Sequence, residues 1–120
     1  MTTTVPPVQA LCCSPVLGGE LPEQDSVDLA GALRVLAEPT RLRIISLIRS
    51  SPGGRALTRD LVERLDVAQP TVSHHLGLLH QVGFLRREHA GRQTWYSVEP
   101  DAFATVSQLL HPSGAPASVA

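Results

Sequence analysis

Between Thr58 and Val82 two helical apolar periods stand three residues apart, and no other feature of the chain restricts its fold as much. Leu61, Val62 and Leu65 share one face of a short segment, 58–65. Asp66-Val67-Ala68 follows, a tight connection. Val72, Leu76 and Leu79 then recur at i, i+4 and i+7 along 69–82, the spacing of a single helical face. Pro70 lies in the first turn of that second segment, where a missing N–H costs nothing. Gly83 stands where the helix should stop. Two short helices on a three-residue turn predict a helix-turn-helix.

The flanks supply the rest of a domain. Residues 25–37 predict a helix, with Leu29, Leu33 and Leu36 on one face and Asp25, Ser26 and Asp28 at its start. Glu38-Pro39 breaks it, because the residue before proline avoids the helical region. A second helix over 40–49 sets Leu42, Ile45 and Ile48 on one face with Ile44 and Leu47 beside them, apolar enough to be the central core helix. The run Ser50-Ser51-Pro52-Gly53-Gly54 ends it. Past Gly83 the pattern changes to strand character at 84–88 and 93–98. His89-Ala90-Gly91-Arg92 forms the turn between them, which predicts a β-hairpin with arginine at its tip. A last helix over 100–110 carries a stripe of Phe103, Val106 and Leu110. Residues 1–24 mix Thr, Pro, Gly and isolated apolars without a period and read as a flexible arm; residues 111–120 read as a disordered tail. The domain is expected at 25–110, all-α apart from the small hairpin.

At 120 residues the chain is one domain's worth. Hydrophobic residues make up 42% but aromatic ones only 3%, so the core must be aliphatic. No apolar run approaches the roughly 20 residues of a membrane span. Residues 1–10 lack both the basic and the apolar parts of a secretory signal. A cytoplasmic protein with no membrane partner is expected. The net charge of −1 conceals an asymmetry. Residues 39–98 hold nine Arg against four acids, net +5, while 1–38 hold one Arg against five acids, net −4. A locally basic surface, rather than overall pI, is what phosphate contact requires. No Ser/His/Asp triad, phosphate-binding loop or paired-carboxylate spacing occurs, so an enzyme is not expected.

Helix 69–82 keeps one face for the core and leaves Gln69, Thr71, Ser73, His74 and Gly77 on others. Gln69, Ser73 and Gly77 fall at i, i+4 and i+8, a stripe of small or polar residues that permits close approach to a duplex. Gln pairs with adenine in bidentate fashion, and Ser and Thr bond bases or phosphates. Alone, such a stripe is most simply a solvated helix face. With the preceding helix, the turn and a basic hairpin, it reads as a DNA-reading surface. Arg92 at the hairpin tip would reach the adjacent minor groove or its phosphates. Of Arg86 and Arg87, strand alternation sends one away from DNA. Of the paired histidines, one is expected toward DNA and one toward packing, with His74 in the DNA-facing set and His75 left open; His80, His89 and His111 read as solvated.

Ala37-Glu38-Pro39-Thr40-Arg41-Leu42-Arg43-Ile44, then Gln69-Pro70-Thr71-Val72-Ser73-His74-His75-Leu76 and a Gly-Arg wing, closely resemble the arsenic-repressor (ArsR/SmtB) family of winged-helix metalloregulators. The resemblance covers about 25–110. It implies a winged helix-turn-helix ordered helix-helix-helix-helix-strand-strand-helix. It also implies a two-fold homodimer through the first and last helices, and repression relieved by a metal or metalloid. Such a dimer should read double-stranded DNA as an inverted repeat, with half-sites about 10 base pairs apart. DNA binding itself would need no cofactor.

The resemblance leaves the inducer site open. One family position, at Ala56-Leu57-Thr58-Arg59-Asp60, holds no thiol here. Another, on the last helix, would have only Asp101 and His111, at a spacing that does not match a paired His/carboxylate set. The adjacent Cys12 and Cys13, the chain's only cysteines, are similar to the N-terminal pair of actinobacterial arsenic sensors. Thiolates suit soft, thiophilic ions. The third thiol of that subgroup is missing from 50–55. Arsenite or antimonite held by two thiolates and an oxygen ligand is expected, or a softer divalent ion such as cadmium held by four thiolates pooled from two arms. A winged-helix repressor under redox or other ligand control, and a protein-interaction module without DNA binding, are the alternatives.

Overall fold

Proline and glycine punctuate the backbone much as the sequence predicts. In a computed structural model that describes residues 6–11 and 14–112, the helices are α1 (Glu23–Leu36), α2 (Pro39–Ser50), α3 (Thr58–Leu65), α4 (Gln69–Val82) and α5 (Pro100–Leu110). Three strands, β1 (Arg55–Leu57), β2 (Leu85–Ala90) and β3 (Gln93–Val98), form an antiparallel sheet in the order β1-β3-β2. Cys12, Cys13 and the tail beyond 112 lie outside the described residues. Among the described residues no helix is long and apolar enough to cross a membrane.

Pro39 opens α2, where the Glu38 carboxylate caps the helix by accepting from Arg41 N–H at 2.8 Å. α3 ends on Asp66 at φ +56°, a left-handed residue that turns the chain within three residues. Gly83 ends α4 in the same region, at φ +97°. The core gathers Ile44 and Ile48 of α2, Leu61 of α3, Val72, Leu76 and Leu79 of α4, and Phe84, all buried. The Phe84 and Phe103 rings pack with centroids 5.0 Å apart, joining α5 to the segment between α4 and β2.

Six details depart from the sequence reading. α1 begins at Glu23, two residues early, because the Pro22 carbonyl accepts the Ser26 N–H at 3.0 Å. The Ser26 hydroxyl accordingly bonds Glu23 O at 2.6 Å inside the first turn and does not cap. On α2 the buried stripe is Ile44–Ile48, while Leu42 is 52% exposed. A helix apolar on nearly every side carries no signal of which side faces in. On α5 the buried line is Ala102, Val106 and Leu109, at i, i+4 and i+7, while Leu110 is 43% exposed.

The sheet gains β1, whose Arg55, Ala56 and Leu57 pair with Ser97, Tyr96 and Trp95. Three residues show no alternation, so only the pairing partner defines that strand. β2 also runs on through Ala90, which pairs with Gln93 and shortens the turn to Gly91-Arg92. Finally, the segment read as a loose arm docks where it is described. Val8 is fully buried in the core, Gln9 Nε2 donates to Gly83 O at 3.0 Å, and Val16 N–H donates to Leu109 O at 2.9 Å. A single apolar anchor on a short turn creates no periodicity to read.

The end of α4 is thus crowded as well as left-handed. A Cβ at Gly83 would displace the amide end of the exposed Gln9 side chain, so the cost lies chiefly in the left-handed backbone. Gly83→Ala is expected to cost about 1–2 kcal/mol, read as a fall in the urea midpoint with unchanged slope.

Candidate nucleic-acid interface

Helix α4 divides sharply by chemistry. Its inner line, Val72, Leu76 and Leu79, is wholly buried, which fixes the rotation of the helix against α2 and α3. That rotation leaves Gln69, Thr71, Ser73 and His74 exposed on the opposite side. Gln69 Nε2 lies 3.4 Å from Ser73 Oγ, so the two share the stripe expected from their spacing. Gly77 is half-buried, and a Cβ there would meet nothing within 4 Å. No neighbour in the fold demands a glycine at that position, whereas a surface approaching from outside would gain room.

The two histidines separate as expected. Their ring centroids are 6.1 Å apart, with His74 exposed and His75 buried, only 9% exposed. Burial holds the His75 imidazole below its ordinary pKa, and the nearby Arg41 and His74 act in the same direction, while Glu38 opposes them. The start of α4 offers little to an anion. Pro70 has no N–H, Thr71 N–H is bonded to Ala68 O at 3.0 Å, and Ala68 provides no side-chain cap.

The hairpin brings a second group alongside. Arg92 is exposed in the turn, which Gly91 permits at φ +65°. It shares with Arg59, near the start of α3, a cleft of about 290 Å³ that Leu57, Thr58, Gln93 and Thr94 also line. Arg59 is the residue the sequence reading missed. Its signal was available in its place, exposed in the first turn of the leading helix, but its proximity to Arg92 depends on β1 bringing that turn beside β3. Arg86 is committed elsewhere. Its guanidinium grips Glu99 through Nη2 at 2.9 Å and Nε at 3.2 Å, and this raises its pKa. Arg87, on the next position, stands on the other face of the strand and, after burial, is a cause of the lowered pKa of His80.

Asp101 and His111 are not brought together, and Cys12 and Cys13 lie outside the described residues. Asp101 lies in the first turn of α5 and His111 just past its last residue, so the length of the helix, roughly 15 Å, separates them. Among the described residues no group of three His, Cys, Asp or Glu could hold a metal ion.

A model described as "Bacterial regulatory protein, arsR family" matches residues 38–87, from the cap of α2 into β2. The HTH-type transcriptional regulator NmtR of Mycobacterium tuberculosis (strain ATCC 25618 / H37Rv) is 35% identical over 90 residues, covering 75% of this chain and 70% of that protein. The chain belongs to the arsR family of bacterial regulatory proteins. The HTH-type transcriptional repressor SmtB of M. tuberculosis (strain CDC 1551 / Oshkosh) is 38% identical over 76 residues, 62% of this chain and 54% of that repressor. The chain therefore matches about half of that relative's length. A crystal structure of a "possible transcriptional regulator for arsenical resistance" superposes with a TM-score of 0.60 at 29% identity, over 66% of this chain and 79% of that one. The fold is the winged helix-turn-helix of this family, with α3 and α4 as the motif, β2 and β3 as the wing and β1 tying the wing to α3. The arsR match includes every residue of the α4 stripe; Arg92 and the Cys12-Cys13 pair fall outside it.

Proposed function

We propose that this chain is a DNA-binding transcriptional repressor that acts in the cytoplasm as a homodimer on an inverted-repeat operator. Gln69, Thr71, Ser73, His74 and Gly77 of α4 face the major groove, and Arg92 of the wing, with Arg59 beside it, holds the flanking phosphates. The observation that carries this reading is the division of α4 into a wholly buried aliphatic face and an exposed face of small polar residues. Exposed apolar residues on the two helices expected to pair, Val27 of α1 and Leu110 of α5, support the dimer.

Release from DNA is proposed to follow binding of a thiophilic metalloid, As(III) or Sb(III), by Cys12 and Cys13, with Cd(II) as the divalent alternative. The root of the arm offers a route for the signal. Val8 is buried in the core and Gln9 bonds Gly83, the residue that ends α4, only three positions before the thiol pair. A ligand that draws the pair elsewhere acts on that contact and so on the seating of α4.

An operator footprint titrated with arsenite tests both halves. Protection of an inverted repeat, lost on adding arsenite or antimonite and retained in Cys12→Ser/Cys13→Ser, is expected. A double variant still released by arsenite contradicts the thiol site and leaves the repressor. The absence of a thiol at 50–55 favours one second reading, oxidation of the same pair as the releasing event. Release by peroxide but not by arsenite identifies it.

A further inference from the structure

Arg41 makes three bonds to three different parts of the fold. Its backbone N–H donates to the Glu38 carboxylate at 2.8 Å, at the cap of its own helix. Its Nε donates to Val35 O at 2.6 Å, in the last turn of α1. Its Nη1 lies 3.1 Å from Nδ1 of His75, in the middle of α4. A guanidinium has donors and no acceptor, so Nδ1 must receive this bond. His75 is then neutral, with its proton on Nε2. The bond is part-buried and joins residues 34 positions apart.

Its position within α4 gives the bond a consequence. Ser73 and His74, on the exposed face, immediately precede His75 in the chain. The aliphatic line of α4 resists rolling of the helix, but apolar contact is non-directional and tolerates small slides along the axis. The Arg41–His75 bond is directional, and Val35 O anchors its other end on α1, the helix through which the proposed dimer forms.

We infer that Arg41 is a positioning residue for DNA recognition, fixing α4 to the end of α1 through a neutral His75, and that acidification releases this tie and weakens DNA binding. The inference rests on the DNA-reading role proposed for α4. Protonation of His75 converts Nδ1 from acceptor to donor, and two cationic donors then face each other. The charged and titratable groups acting on the ring are Arg41 and Glu38 from α2 and His74 on α4 itself, while the Val35 carbonyl of α1 holds the other end of Arg41. Only Glu38 favours the charged ring, and burial together with Arg41 and His74 outweighs it. The sign is the opposite of that expected from exposed histidines near DNA, whose protonation adds attraction to phosphate.

The test is duplex affinity at fixed ionic strength from about pH 7.5 to about pH 5, for wild type, His75→Asn and Arg41→Met, each checked for a cooperative thermal transition. Asn places an amide oxygen where Nδ1 stands and does not titrate. Met keeps much of the apolar stem of Arg41 and removes its side-chain donors. Wild type is expected to lose about tenfold more affinity on acidification than His75→Asn, and Arg41→Met to bind about tenfold more weakly than wild type at the upper pH with a flattened profile. If His75→Asn does not fold, the wild-type and Arg41→Met profiles decide, since only the former should fall. Imidazole ¹⁵N shifts of His75 report the tautomer without DNA, and a proton on Nδ1 at neutral pH overturns the inference. So do superimposable pH profiles, or wild-type affinity in a folded Arg41→Met. A wild type that binds no duplex removes the DNA-reading role and the inference with it.

Discussion

Ser73→Glu is expected to weaken duplex binding by about a hundredfold or more, roughly 3 kcal/mol, while its melting temperature stays within about 2 °C of wild type. The side chain is exposed at the centre of the α4 stripe, between Gln69 and Gly77. Glutamate there disturbs no buried contact, so stability is spared. On DNA it removes a small hydroxyl from the groove and sets a carboxylate among phosphates, where like charges at close range cost several kcal/mol. Fluorescence anisotropy on the footprinted duplex reads the first effect and circular dichroism the second. A folded Ser73→Glu with wild-type affinity would mean that this face of α4 does not meet DNA.

The largest stability effect is expected at Phe84. Its ring is wholly buried and packs on Phe103, so it links the end of α4, the start of β2 and the inner side of α5. Removing the ring forfeits its transfer energy and leaves a cavity that the strand cannot collapse to fill. Phe84→Ala should cost about 3–5 kcal/mol, against a total stability of about 5–15 kcal/mol for a domain of this kind. The urea midpoint should fall accordingly, with the slope unchanged. Phe84→Leu, which keeps most of the volume, should recover most of the loss. A Phe84→Ala variant within about 1 kcal/mol of wild type, roughly the centre of the range for point mutants of every kind, would contradict the packing described.

His75 also contributes to stability in a known direction. Its folded pKa is depressed, so its contribution is fully present above the ordinary histidine value of about 6.5. It is lost as pH falls from there through the lower folded value, because the unfolded chain takes up the proton first.

The sequence shows most clearly what local backbone chemistry decides. Pro39, Pro70, Pro100 and Gly83 mark helix ends through constraints that act within one turn, and α4 and α5 have the bounds read from the sequence. The α4 stripe was legible for a related reason: three aliphatic residues at helical spacing fix the inward face and thereby the outward one. Features set by distant pairing stayed hidden. β1 exists because Arg55–Leu57 meets β3 some 40 positions on. Val8 is a core residue because α5 and the end of α4 leave it a place. Ala102 lies inside and Leu110 outside, an order that a hydrophobicity pattern, which undervalues a small residue, does not show. Arg59 beside Arg92, and Arg41 against His75, are likewise products of the fold.

The dependence of duplex binding on salt tests the central claim most directly, because phosphate neutralisation by this basic middle segment cannot be imitated by apolar association. The logarithm of the binding constant should fall linearly with the logarithm of salt concentration, and Arg92→Ala should reduce the slope by about 0.9 for each phosphate contact removed. Binding that ignores salt, or no binding to any duplex at low salt, would contradict the account.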